Sequence, residues 1–216
     1  MLNWISNRVH LMIKYKIGFL LLAAGSSSRM RGKDKLLQEI DGVPQIERIL
    51  RQFLKLRFPV FVTVPATDTK RKSIISKTKA TIIEVHNSKL GMGHSIAEGI
   101  GEITKNYDFL SLAICPSDLP DLKMGSINHL LNYFFKSPEM ICRPVARGSA
   151  NVGHPVIFPK KYFEELKSIR GDSGARNIVQ KNKIAVNLYN TDDVSYFLDL
   201  DTPEEFTNWM KRTNEK

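Results

Sequence analysis

The chain has 216 residues, 42% hydrophobic and 25% charged, which suits a globular protein with one sizeable core and excludes a low-complexity or membrane-embedded chain. Net charge is +10, which admits nucleic acid, an anionic surface or phosphorylated small molecules as partners; without an RNA-binding aromatic signature or zinc-finger spacing, a small anionic substrate is favoured. Cys115 and Cys142 each lie in an apolar run, too few for a disulfide framework or a cysteine metal cluster, so a reducing, cytoplasmic setting is expected.

In chain order, residues 1–13 read as an extension and 14–216 as a single domain. The apolar run Ile17–Ala24 is far shorter than the ~20 residues of a membrane span, so no membrane partner is expected. It reads instead as a strand buried on both faces, because its apolar residues do not alternate with polar ones. It stops at Gly25. Three serines follow, then Arg29, Arg31, Lys33 and Lys35, with Asp34 the only acid in residues 1–35. A strand that empties into a small-residue loop flanked by cations suits phosphate, which takes hydrogen bonds from exposed amides and charge from the cations. The loop is neither G-x-G-x-x-G nor a P-loop: serines follow Gly25, and Asp34 follows Lys33.

Further along, Pro44–Leu56 has the apolar spacing of an amphipathic helix, and Pro59–Val64 reads as a buried strand. Thr67–Lys77 is polar and basic, a helix expected to be mostly solvated. Thr81–Val85 is a strand, Asn87–Gly93 a glycine-punctuated loop, and His94–Thr104 a helix. Phe109–Cys115 is a buried strand leading into PSDLPDL. Ile127–Phe135 is helical and Met140–Arg143 is a short strand. Pro155–Phe158 is a strand and Tyr162–Ile169 a helix. Another helix begins in the segment 171–176 and runs to about Lys181. Ile184–Leu188 and Tyr196–Leu198 read as late strands. Thr202, Pro203, Glu204 and Glu205 mark the start of a last helix, with Thr202 capping. The alternation of strand and helix predicts an α/β fold with a mostly parallel sheet covered on both faces, with ligand beyond the carboxyl ends of the strands. The loops after the strands Ile17–Ala24, Thr81–Val85 and Phe109–Cys115 are expected to meet at one crevice.

Two carboxylates carry the next expectation. Asp118 lies between Ser117 and Leu119, flanked by Pro116 and Pro120, which stiffen the turn. A carboxylate at a strand's carboxyl end near a phosphate loop is where Mg²⁺ would sit, sharing its octahedron with phosphate oxygens and water. A surface turn would use the same residue types. A second carboxylate could come from Asp199 or Asp201, although Asp201 also belongs to the helix start. His94 and His154 have either a structural role or a polar contact to a ligand.

LLAAGSSSRM at 21–30 and DKLL at 34–37 resemble the signature of the molybdenum-cofactor nucleotidyltransferases, the MobA-like and MocA-like group. GMGHSI at 91–96, SDLP at 117–120, GHPVIF at 153–158, GDSGAR at 171–176 and DLDTPEEF at 199–206 follow in the same order, and the last three are similar to the MocA-like cytidylyltransferase branch. The resemblance implies a Rossmann-like three-layer sandwich of the nucleotide-diphospho-sugar transferase type. It implies a triphosphate held by the backbone of Leu22, Ala23, Ala24 and Gly25 and by Arg29 and Lys35. Mg²⁺ would be on Asp118 and Asp201, and Gly91, Gly93 and Ser95 would face the base and ribose. His154, in the GHP block, would lie on the acceptor side with GDSGAR. Ala24 stands where guanylyl-transferring relatives usually carry glycine, so CTP is the expected nucleotide and a molybdopterin-type cofactor the expected acceptor, with a molybdoenzyme as a further partner. RMRGKDK is one residue longer than the usual spacing. That leaves Lys33 or Lys35 as the signature lysine, and Lys35 is chosen because it follows Asp34 and precedes Leu36–Leu37. Other readings are a nucleotidyltransferase for a sugar or alcohol phosphate, and a cofactor-binding chaperone without turnover.

Overall fold

The apolar run after Lys16 forms an interior strand, β1 (Ile17–Leu22), of a seven-stranded sheet. The structure is a computed structural model that describes residues 16–214; the extension expected at 1–13 lies outside them. β1 pairs in parallel with β4 (Val60–Pro65) on one side and β6 (Ser111–Pro116) on the other, and β4 pairs with β5 (Thr81–Val85). A small hairpin, β2 (Glu39–Ile40) with β3 (Val43–Pro44), stands apart. Beyond β6 come β8 (Val156–Pro159), β7 (Ile141–Ala146) and β9 (Val186–Thr191), with β8 antiparallel to both neighbours and β7 parallel to β9. The mostly parallel sheet expected from the alternation is therefore present, with one reversed strand.

Successive residues of β1 face opposite layers, so both sides are apolar. Phe19 and Leu21 join Ile46, Ile49 and Phe53 of α1 (Gln45–Leu54) and Ile127 and Leu130 of α4 (Met124–Phe134). Leu20 joins Ile96 and Ile100 of α3 (Met92–Asn106), Phe163 and Leu166 of α5 (Phe163–Ser168) and Ile178 of α6 (Arg176–Lys181). A methyl group on Gly99 would lie 2.9 Å from Thr63 Cγ2 and 3.0 Å from Leu20 Cδ2, so glycine lets α3 lie close on the sheet. The last helix, α7 (Pro203–Asn214), opens with a reciprocal cap. Thr202 Oγ1 accepts from the Glu205 amide at 3.2 Å, and Glu205 Oε2 accepts from the amides of Thr202 and Asp201 at 3.0 and 2.9 Å.

Several expectations need correction. Tyr196–Leu198 is not a strand. Asp193 accepts from the Ser195 amide and turns the chain into a 3₁₀ turn, Val194–Tyr196, and Tyr196 is buried with its hydroxyl on the Ser126 carbonyl. The helix expected from GDSGAR starts only at Arg176, because Gly171 and Gly174 adopt positive φ and keep 171–175 in turns. α3 starts at Met92 rather than His94, which places Gly93 and Ser95 in its first turns. The basic helix is α2 (Thr69–Ile75), mostly solvated as expected, with Arg71 and Ile75 its buried residues.

Candidate functional site

The loop that follows β1 is held from beneath by a buried arginine. Arg71 of α2 is 3% exposed; its Nη1 donates to the carbonyl oxygens of Ala23 at 2.6 Å and Gly25 at 2.9 Å. In a trans peptide the C=O and the following N–H point in opposite directions. Gripping the carbonyls of Ala23 and Gly25 therefore turns the amides of Ala24 and Ser26 away from Arg71. Its charge is met by Asp34 at 2.8 Å and by Asp68 at 3.2 Å. Sequence reasoning missed Arg71. The available signal was Asp34, a lone acid among cations that needed a partner.

Asp34 also sets the next turn. Its Oδ1 accepts from the Leu36 amide at 3.0 Å and caps the 3₁₀ turn Lys35–Leu37, whose Leu36 is buried. This directs Lys35 inward. Lys35 Nζ donates to Asp118 Oδ2 and, at 2.8 Å, to Asp201 Oδ1. All three side chains are 15–18% exposed. Arg29, on the rim, reaches Asp201 Oδ2 at 2.7 Å, and Arg31 reaches Glu204 at 2.8 Å. Lys33 is exposed and enters no ion pair among the described residues, so the lysine that meets the carboxylates is Lys35.

Strand order explains the convergence. β1 and β6 are neighbours, so their carboxyl-end loops meet, and the Ser117 amide donates to the Leu22 carbonyl at 3.2 Å. The Leu200 amide donates to the Asp118 carbonyl at 3.3 Å, which brings the segment with Asp199 and Asp201 onto the same turn. Burial favours neutral Lys35, but the charges and hydrogen bonds of Asp118 and Asp201 outweigh it and hold its pKa above the ordinary value. Asp199 is pushed up by burial first and then by the charge of Asp118.

Among the described residues no group of three or more His, Cys, Asp or Glu side chains forms a protein-only metal cage. Mg²⁺ does not need one, since it binds through one or two carboxylates and completes its shell with phosphate and water. Asp118 Oδ1 is buried without a hydrogen-bond partner, a free oxygen donor beside Asp201. The pair fits such an ion.

The other expected residues divide into two groups. Leu22 and Ala23 belong to the end of β1 and its loop. Ala24 packs against the α3 side of the sheet and Gly25 is exposed. The loop after β5 packs on the segment at 171: the Gly93 amide donates to the Gly171 carbonyl at 2.7 Å, and a methyl group on Gly93 would come within 2.8 Å of that oxygen. Gly91 has φ 110° at the cap of α3, and Ser95 is buried. His94 Nδ1 lies 3.0 Å from the Leu90 carbonyl oxygen and 3.3 Å from the Gly171 amide, so the ring sits between its own turn and the segment at 171. His154 follows Gly153 after the loop from β7, and its amide donates to the Tyr196 carbonyl at 3.1 Å. Burial, with Arg143 nearby, pulls its pKa down to about 4, although Asp118 acts the other way. The ring is therefore neutral at physiological pH, and its Nδ1 is buried without a partner.

The amide-presenting loop after β1 thus faces a lysine–carboxylate cluster drawn from three segments, with Asp118 just beyond the neighbouring strand β6. The chain belongs to the MobA-like NTP transferase domain family, which it matches over residues 19–186. It is therefore a nucleotidyltransferase by family. It is 25% identical over 201 residues to the purine catabolism protein PucB of Bacillus subtilis (strain 168), covering 89% of this chain and 94% of that protein. In fold it is similar to Rv0371c from Mycobacterium tuberculosis H37Rv in complex with manganese, with TM-score 0.74, 17% identity, and 90% and 98% of the two chains covered. It is also similar to the molybdopterin-guanine dinucleotide biosynthesis protein A of Archaeoglobus fulgidus, with TM-score 0.65, 15% identity, and 92% and 100% covered.

Proposed function

We propose that this nucleotidyltransferase transfers CMP from CTP to the phosphate of a molybdopterin-type acceptor, releasing pyrophosphate, with Mg²⁺ on Asp118 and Asp201. The carrying observation is the cluster in which Lys35 joins Asp118 and Asp201 at the mouth of β1 and β6. An acceptor oxygen attacks the α-phosphorus, the new P–O bond forms, and the bond to the β-phosphate breaks with its electron pair leaving on pyrophosphate. An acceptor phosphate is already ionised at neutral pH, so no general base is needed. The neutral, buried His154 is consistent with that.

The chain's own residues align and neutralise. The amides of Ala24 and Ser26, turned outward by Arg71, meet phosphate oxygens. Arg29 is exposed and free to move from Asp201 onto the β- and γ-phosphates, and Lys35 contributes charge from within. Lys35 and Arg29 are already balanced by Asp118 and Asp201. A triphosphate arriving at this balanced cluster needs a further cation, and Mg²⁺ would supply that neutralisation on the phosphate oxygens. Support for a divalent ion comes from the manganese complex of the Rv0371c fold relative, and for the acceptor from the family and from protein A of A. fulgidus. CTP rests on Ala24 in the loop. The test is pyrophosphate release with each NTP in turn, Mg²⁺ and molybdopterin. Release with CTP alone among the nucleotides supports the proposal. Release only with a sugar or alcohol phosphate as acceptor, or pterin binding without release, contradicts it.

A further inference from the structure

Two arginines near this site, Arg143 and Arg176, have no ion-pair partner among the described residues. Arg143 is the third residue of β7, on the same face as Ile141, which packs in the layer of α3, α5 and α6. Its Nε is buried without a hydrogen-bond partner, and its Nη2 makes only a long 3.5 Å contact to the Gly153 carbonyl. Arg176, the first residue of α6, is exposed and lies within electrostatic reach of it, and neither arginine enters an ion pair among the described residues. Burial and then the charge of Arg176 both pull the Arg143 pKa down. The contrast with Arg71, whose guanidinium meets two carboxylates and two carbonyls, is direct. Partly burying an unpaired guanidinium beside another cation is unfavourable unless a ligand brings the missing negative charge. His154 is within electrostatic reach of both Arg143 and Asp118, so Arg143 borders the lysine–carboxylate cluster, and the orphaned Nδ1 of His154 adds a further polar group there.

We propose that Arg143 and Arg176 form a second anion subsite, separate from the triphosphate loop, that binds the phosphate of the acceptor. Two guanidiniums match a phosphomonoester dianion in charge, and the fork of Arg143 matches two of its oxygens. Held this way, the acceptor phosphate keeps another oxygen for attack on the α-phosphorus. This assignment rests on the nucleotidyl-transfer reading above.

The test uses the full chain labelled at arginine Nε, titrated with inorganic phosphate and, separately, with CTP and Mg²⁺. Phosphate is expected to shift the Arg143 Nε–H resonance. Arg176→Gln, read at that resonance, and Arg143→Lys, read by calorimetry, should each weaken phosphate binding about 10-fold or more while changing CTP affinity less than about 2-fold. Thermal melts of both variants verify folding. Unchanged phosphate affinity in both variants would overturn the assignment, as would a parallel loss of CTP affinity, which would give the pair to the triphosphate. Failure of CTP to bind the wild-type chain would count against the nucleotide reading, while the phosphate titration still decides the arginine pair.

Discussion

The two sides of the cleft handle charge in opposite ways. On the β1 side every interior cation is matched: Lys35 by Asp118 and Asp201, and Arg71 by Asp34 and Asp68. On the β7 side the part-buried Arg143 and the exposed Arg176 enter no ion pair among the described residues, and His154 stays neutral beside Arg143. The matched side is fixed before substrate arrives, which suits alignment of a triphosphate. On the unmatched side the part-buried Arg143 has no anionic partner among the described residues, at some expense to the stability of the free protein.

Breaking the matched side should have the largest effects. Asp118→Ala is expected to retain the fold but lower pyrophosphate release by about 100-fold or more, read in a coupled turnover assay. Lys35→Ala leaves two carboxylates facing each other without their shared cation. It should weaken triphosphate binding strongly and lower stability by about 3 kcal/mol in a denaturant titration. Lys33→Ala should do neither, and a larger effect there would move the signature lysine. Arg71→Lys keeps the charge but loses the planar fork. A stability loss of about 2 kcal/mol with a raised KM for the nucleotide is expected, whereas an unchanged KM would mean that Arg71 serves only the fold.

The unmatched side gives a pH effect. The folded-state pKa of His154, about 4, lies below the ordinary value of 6.5. Between those values the unfolded chain takes up a proton that the folded chain does not, so this residue makes stability rise with pH from about 4 to 6.5 and level off above. Denaturant midpoints across that range should show the slope, and it should flatten in His154→Gln. A smaller effect belongs to the scaffold: Thr202→Ala removes one half of the α7 cap and should lower stability by about 1 kcal/mol.

Much of this architecture was legible from local pattern. The unbroken apolar runs of β1, β4 and β6 marked strands covered on both faces, and Pro203 with the flanking Thr202 and Glu205 marked a helix start. Asp118 was singled out because strand-end loop chemistry is written in contiguous residues, and Lys35 because DKLL at 34–37 resembles a family signature. Arg71 was not, because its partners at Ala23, Gly25 and Asp34 lie 37 to 48 residues away and its own helix looks solvated in composition. Arg143 was missed for a related reason: an arginine in a short apolar strand shows its lack of a counter-ion only when the neighbouring strands and α6 are in place. Tyr196 looked like a strand residue because its aromatic, β-favouring side chain was given a local reading, whereas Asp193 turns the chain and the ring fills the core.

The central claim is that Asp118, with Lys35 and Asp201, forms the seat of nucleotidyl transfer. The most direct measurement is pyrophosphate release by wild type and Asp118→Ala with CTP, Mg²⁺ and molybdopterin, alongside thermal melts of both. The account predicts release by wild type that disappears on chelating the metal, and a folded variant with almost none. A folded Asp118→Ala that releases pyrophosphate at close to the wild-type rate would contradict it.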